Sequence, residues 1–211
     1  MFLLDKSNNS LLVTLKMFVS LKFKEKMGFF TLKAMSVILF FSAASALFSQ
    51  SNDELEVLLD ELALAESSND AILIRKQIWS LWLDGYSDQK NKQKIDFALK
   101  LFNSGDLEKA DRAFSEIIKL EPGYVEGWNK RATLKFLLGD FNRSLLDIQE
   151  VLKRQPRHFG AISGSGLIHM HNKNFKDAYN SYKKLSQIDP LNEDSKRFLP
   201  ILENKIFGKS L

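Results

Sequence analysis

Three of the four prolines, Pro122, Pro156 and Pro190, follow one another at intervals of 34 residues. Two further series, one of small and one of large residues, keep the same interval: Ala110, Ser144 and Ala178, then Phe114, Ile148 and Tyr182. A period of this length is typical of helical repeats, in which each copy buries its apolar face against its neighbours. The period predicts three copies, at residues 91–124, 125–158 and 159–192.

Each copy has the pattern of a helical hairpin. In the second copy, residues 125–138 predict one helix, Gly139 and Asp140 a turn, and the apolar residues from Phe141 to Leu152 a second helix with one buried stripe. The proline after each second helix ends it, because proline lacks the amide hydrogen and disfavours helical geometry in the residue before it. An all-α stack of about nine helices, without strands, is the predicted fold.

Segments on both sides of the copies also have helical patterns. Residues 47–90 contain leucines at helical spacing in two stretches, which predict an atypical N-terminal hairpin followed by a polar linker. Residues 193–211 predict a last helix, in which Pro200 introduces a kink. We expect the hairpin and the last helix to cap the two ends of the stack.

The repeated positions resemble the tetratricopeptide (TPR) pattern, in which Trp-x2-Leu-Gly-x2-Tyr is followed by Ala-x3-Phe and Pro. The chain departs from the pattern at several places, for example at Lys173, where the first two copies have a turn glycine. The second and third copies are also similar to small secreted TPR proteins of proteobacteria whose function is unassigned. The positions assigned to packing between repeats are Ala110, Phe114, Pro122, Trp128, Ala132, Ile148, Pro156, Gly166, Ala178, Tyr182 and Pro190.

The resemblance implies a right-handed superhelix whose first helices line a concave groove that binds peptides. By register, Ile95 and Glu126 belong to this groove. Some TPR proteins clamp a terminal carboxylate with Lys, Asn and Arg, but the corresponding positions here are Ile95, Leu99, Lys130, Gly160 and Gly164, so no such clamp is expected. The residues predicted to bind a partner are Asn129, Thr133, Phe136, Ser163, Gly164, Leu167 and Met170.

Two features of the groove helices leave alternatives open. Gly160 and Gly164 lie one turn apart, and they either admit a ligand or a neighbouring helix or simply weaken their own helix. Arg131 stands where the family usually has Leu. It either forms an ion pair with Asp147 or Glu150, or holds an acidic ligand, since an unpaired buried guanidinium is costly.

The N-terminal region carries the excess of positive charge. Residues 1–46 contain six lysines and two acidic residues, whereas the remaining 165 residues have 24 basic and 24 acidic side chains, which argues against a nucleic-acid ligand. Residues 27–46 have the basic start, short apolar core and Ala-x-Ala end of a signal peptide. Residues 1–26 are then an over-extended start. A membrane anchor facing the periplasm is the alternative to secretion.

The sequence lacks the residues that several classes of chemistry require. The chain has no cysteine, which excludes thiol catalysis, disulfides and CxxC zinc sites. The glycine-rich run 160–166 lacks the Gly-Lys-Ser/Thr ending of a phosphate loop. His169 and His171 are two residues apart on a predicted helix, so their side chains diverge and no metal site is expected.

These patterns predict a non-enzymatic scaffold of the cell envelope, without a cofactor, that binds a peptide or helix of a partner protein in the groove. The alternative is a structural subunit that associates with itself through the N-terminal hairpin. Trp79 and Trp82 would then be the anchors of that contact.

Overall fold

The computed structural model describes residues 53–86 and 88–208. Over these ranges it contains nine α-helices, a single 3-10 turn (Gln89–Asn91) and no strand, and they belong to one compact unit, Ser51–Leu211. The predicted signal peptide lies outside the described residues. The helices are α1 (53–63), α2 (Ser68–Leu83), α3 (Lys92–Asn103), α4 (Leu107–Leu120), α5 (Val125–Leu137), α6 (Phe141–Arg154), α7 (Phe159–His171), α8 (Phe175–Ile188) and α9 (Glu193–Phe207).

The helices α3 to α8 form three consecutive hairpins, and neighbouring helices pack against each other along the stack. Each hairpin turns at the same repeat position, which adopts a left-handed backbone conformation. Gly105 and Gly139 have φ of 78°, and Lys173 has φ of 61° in the third hairpin. Lys173 therefore keeps the turn geometry although its side chain disfavours it.

Small residues allow the two helices of each hairpin to approach closely. Ala110, Ser144 and Ala178 are buried, and the Ser144 hydroxyl donates to the carbonyl of Ala132 at 2.7 Å. In the third hairpin, a Cβ atom added to Gly166 would lie 2.7 Å from Cζ of Tyr182. The closeness of these helices thus depends on side-chain size at fixed repeat positions.

The N-terminal hairpin does not occupy the predicted capping position. Helix α2 packs against α5, and its side chains also reach the start of α7, so the hairpin lies along the side of the second and third repeats. Arg75 of α2 forms a bidentate ion pair with Asp189, at 2.7 and 2.8 Å. Long-range side-chain contacts explain this position, because nothing in the local pattern of α1 and α2 specifies their neighbours.

At the other end, α9 packs against α8. Its buried Leu202 joins the cluster of apolar residues that contains Tyr182 and Leu185 of α8. Pro200 lies inside this helix. No helix in the described ranges is long and apolar enough to cross a bilayer.

Candidate functional site: a cleft between two first helices

An open cleft of about 270 Å³ separates α5 from α7, with α6 at its base. Most of its lining is apolar, and the two glycines of α7 contribute no side chain. This composition suits an apolar side chain of a ligand. The lining residues are Asn129, Ala132, Thr133, Phe136, Leu137, Ser144, Ile148, Gly160, Ala161, Ser163, Gly164, Leu167 and Ile168.

Six of the seven residues predicted to bind a partner line this cleft. They are Asn129, Thr133, Phe136, Ser163, Gly164 and Leu167. The seventh, Met170, does not line it and packs instead against the apolar cluster shared with the N-terminal hairpin. The helical register therefore places most of the predicted set on one surface, but one turn too many was assigned to it at the end of α7.

Polar side chains in the cleft are already hydrogen bonded within the protein. The Thr133 hydroxyl donates to the carbonyl of Asn129 at 3.0 Å, and the Ser163 hydroxyl donates to Asp194 of α9 at 2.6 Å. The side-chain amide of Asn129 donates to Glu126 at 3.1 and 3.2 Å. These bonds hold the side chains in place and leave apolar contact as the main attraction that the cleft offers.

Glu126 was expected on the groove surface, but the structure buries it completely. Lys130 pairs with its carboxylate at 3.0 Å, and Nε2 of His158 lies 3.3 Å from it. Burial opposes ionisation, but the hydrogen bond from His158 and the charge of Lys130 outweigh it and keep the pKa of Glu126 below its ordinary value. Ile95 is likewise buried, in the core of the first hairpin, rather than on the groove.

The tautomer of His158 follows from its two contacts. The backbone amide of Ala161 donates to Nδ1 at 3.1 Å, so His158 caps the start of α7. In the neutral ring, Nε2 must then carry the hydrogen, and this N–H donates a hydrogen bond to Glu126. This buried pair was missed from the sequence, since Glu126 and His158 are 32 residues apart and neither belongs to a recognisable motif.

Gly160 and Gly164 have different surroundings. A Cβ atom on Gly160 would lie 2.8 Å from Cη2 of Trp79, so this glycine admits a side chain of the N-terminal hairpin. A Cβ atom on Gly164 would have an ordinary contact, 3.5 Å, with Ile148. The close approach of Trp79, a side chain of the same protein, therefore explains the glycine at position 160.

Arg131 forms the ion pair predicted with Asp147, through two hydrogen bonds of 2.6 and 2.8 Å. It also donates to the Ser115 hydroxyl of the preceding repeat at 3.2 Å. The hydrogen bond to Asp147 raises the pKa of Arg131 above its ordinary value. Glu150, the other candidate partner, pairs with Arg154 instead.

Trp79 and Trp82 do not form the exposed anchors that self-association would require. Trp82 is only 4% exposed, and Trp79 is half-buried against Phe159. Both indoles face the repeats rather than solvent. Among the described residues, no group of three or more His, Asp and Glu side chains is arranged to hold a metal ion.

Comparison with known proteins finds the same architecture. Over 164 residues the chain is 29% identical to a TPR repeat-containing protein of Rhizobium etli, covering 76% of this chain and 78% of that one. The first TPR domain of Spaghetti (RPAP3), bound to an HSP90 peptide, matches 57% of this chain and 96% of its own, with a TM-score of 0.54 and 17% identity. The TPR domain of Arabidopsis OM64 matches 55% and 96%, with a TM-score of 0.53 and 17% identity. No family model matches the chain.

The 34-residue period, the three hairpins and the similarity to the relative from R. etli all indicate the same repeat fold. The chain has the tetratricopeptide-repeat (TPR) fold. Within this TPR fold, the cleft lies between the first helices of the second and third repeats. The structural matches, at 17% identity, show the fold, and the chemistry of the site has to be argued from its own residues.

Proposed function

We propose that this protein is a non-enzymatic interaction module of the cell envelope, which binds a peptide or helix of a partner protein in the α5–α7 cleft. The observation that carries the proposal is the cleft itself, a mostly apolar surface between two helices, whose polar side chains are already hydrogen bonded within the protein. A groove of this kind suits an apolar anchor residue of a partner segment.

The chemistry of the cleft distinguishes it from a carboxylate clamp. Gly160 and Gly164 bring no charge to it, and Lys130 is already paired with Glu126. The solved structure that is bound to an HSP90 peptide is therefore a guide to the fold and not to the ligand. We expect the ligand to insert an apolar side chain into the cleft, while its backbone contacts residues at the rim.

The proposed compartment rests on the sequence of residues 27–46, which have the pattern of a signal peptide. The body of the protein is neutral, with 24 basic and 24 acidic side chains after residue 46, so it lacks the charge that would attract nucleic acid. Secretion to the periplasm is proposed, and anchoring by an uncleaved N-terminus is the alternative.

Site-specific photo-cross-linking in cells tests the proposal. A photoreactive amino acid at Leu167, in the cleft, should label a partner that the same group at Leu146 does not, since Leu146 is 60% exposed on α6 and does not line the cleft. Phe136→Ala and Leu137→Ala, which each remove an apolar side chain from the cleft lining, should each reduce the labelling about tenfold, as expected for central anchors of an interface. Equal labelling from both positions, or labelling that both substitutions leave unchanged, would contradict the proposal. Circular dichroism of each variant controls for loss of fold.

A further inference from the structure

Next to the cleft, the starts of α5 and α7 are covered by helix α2 of the N-terminal hairpin. We call the residues that receive its two tryptophans the indole site: Lys130 of α5, with His158, Phe159 and Gly160 at the start of α7. Each of them contacts Trp79, Trp82 or both. The indole site therefore belongs to the same two helices as the cleft.

Trp79 fits the indole site closely. Its ring meets Phe159 edge-to-face at 5.4 Å between centroids, and the Lys130 ammonium lies over it at 5.4 Å. The absence of a side chain at Gly160 makes room for the far edge of the ring, which would lie 2.8 Å from an added Cβ. A cation over an indole and a glycine beneath it are features of a surface that receives an aromatic ligand group.

Trp82 has a strong stacking contact but an unsatisfied polar atom. Its ring lies 3.8 Å from the imidazole of His158, with 13° between their planes. Its indole N–H is buried and has no hydrogen-bond partner, which costs about 1–3 kcal/mol relative to a hydrogen-bonded state. The docked hairpin is therefore less stable than its buried area alone would suggest.

Long side chains make the outer contacts of the hairpin. Arg75 pairs with Asp189, while Arg157 pairs with Glu56 and Asp60 of α1 at 3.0 and 2.7 Å. The side chains of Glu56 and Asp60 are more than half exposed, so their ion pairs with Arg157 are weak and screened by salt. The leucines of α1 are buried with Ala71 and Ile78 of α2 in the cluster that also reaches α7.

Gly160 connects the two surfaces, because it lines the cleft and also contacts Trp79. A partner helix that fills the cleft and continues toward the start of α7 would meet the Trp79 ring at this residue. Such a partner and α2 cannot both occupy the indole site.

We propose that the indole site is a second subsite of the binding groove, which takes a helix bearing two tryptophans three residues apart, and that α2 fills it in cis. A partner helix of this chemistry displaces α2, and a short segment that reaches only the cleft leaves it in place. This inference rests on the proposed function of the cleft. It adds the class of ligand that the groove binds, and it adds that helix α2 of the same chain competes with this ligand.

A synthetic peptide of residues 67–84 tests the subsite directly. Its binding is measured by fluorescence anisotropy against the full chain and against the full chain with Trp79→Ala and Trp82→Ala, in which α2 has lost its anchors. We expect at least about tenfold tighter binding to the double variant, since removal of a competing cis occupant raises apparent affinity. The same peptide with both tryptophans replaced by alanine is the control. Equal and weak binding of both peptides to both proteins would overturn the proposal.

A cross-linked hairpin gives a second measurement, which does not require the double variant to fold. Because the chain has no cysteine, Asp60→Cys with Arg157→Cys, both at accessible positions, allows a short bis-maleimide to fasten the N-terminal hairpin, and α2 with it, to the repeats. The matched control, Asp111→Cys with Lys135→Cys, replaces an ion pair that lies within the repeats. Hydrogen exchange should slow at least about tenfold in α2 on fastening and stay unchanged in the control. If α2 already exchanges as slowly as α6 and α8 before fastening, the cis occupant does not leave and the proposal is wrong.

Photo-cross-linking from Leu167 separates this inference from the proposed function. Fastening α2 should lower the labelling of a helical partner at least about fivefold. Labelling that is equal in the fastened and the free protein refutes displacement and leaves the function of the cleft standing. If no partner is labelled from the cleft in either protein while the peptide of residues 67–84 binds the double variant, the proposed function fails and the indole site stands.

Discussion

Lys173 is the one residue other than glycine with positive φ among the described residues, and replacing it with glycine should stabilise the protein. Its φ of 61° corresponds to the 78° of Gly105 and Gly139 at the same position of the first two repeats. The Lys173 side chain is exposed, so Lys173→Gly removes no buried contact. The change isolates the backbone strain of one turn.

The size of the effect follows from two opposing contributions to the free energy of unfolding. A left-handed conformation costs a residue with a Cβ atom about 1–2 kcal/mol, which glycine avoids. Glycine has more freedom in the unfolded chain, which takes back about 0.4–1 kcal/mol. The net gain is about 0.5–1 kcal/mol, which corresponds to a rise in Tm of about 1–4 °C for a chain of this size.

Thermal unfolding followed by circular dichroism at 222 nm measures this gain, and urea unfolding gives the free energy directly. The reverse substitution, Gly139→Lys, should lower stability by a similar amount, because φ is 78° there and an added Cβ would have no atom within 4 Å. Lys184→Gly, at an exposed position in the interior of α8, should instead destabilise by about 1 kcal/mol. A Tm that falls on Lys173→Gly would show that its turn is not strained and would refute the reasoning.

Three further predictions concern packing, acid sensitivity and processing. Ala110→Leu and Ala178→Leu should each destabilise the protein by about 1–3 kcal/mol in urea unfolding, because both alanines are fully buried between paired helices; two unchanged midpoints would show that these positions do not pack as described. Glu126 has a lowered pKa, so its contribution to stability is present at neutral pH and is lost as the pH falls below its ordinary value of 4.5 and through the lower folded pKa. Glu126→Gln should therefore be less stable than the natural protein at pH 7 and should show a shallower loss of stability on acidification, and parallel pH profiles would contradict this. The mass of the protein isolated from cells should correspond to a chain that begins at or near Leu47, whereas a mass that retains residues 27–46 would indicate the anchored form.

Much of the repeat architecture could be predicted because its determinants are local and recur. The prolines at 34-residue intervals mark the ends of second helices, and the small residues at Ala110 and Ala178 mark where paired helices touch. The same register predicted six residues of the cleft, since residues three and four apart share a helix face. A pattern with a fixed period therefore predicts both where the helices lie and which of their faces pack together.

Other properties depend on contacts between distant residues and appear only in the tertiary structure. Arg75 and Asp189 are 114 residues apart, and their ion pair helps to hold the N-terminal hairpin beside the repeats rather than at their end. Glu126 has the sequence position of a groove residue, yet it is buried because His158 and Lys130 compensate its charge. The sequence alone thus determined the repeating hairpins, whose geometry depends on neighbours in the chain. Tertiary packing decided which surface of the groove stays open, because that depends on a helix whose own sequence does not specify where it docks.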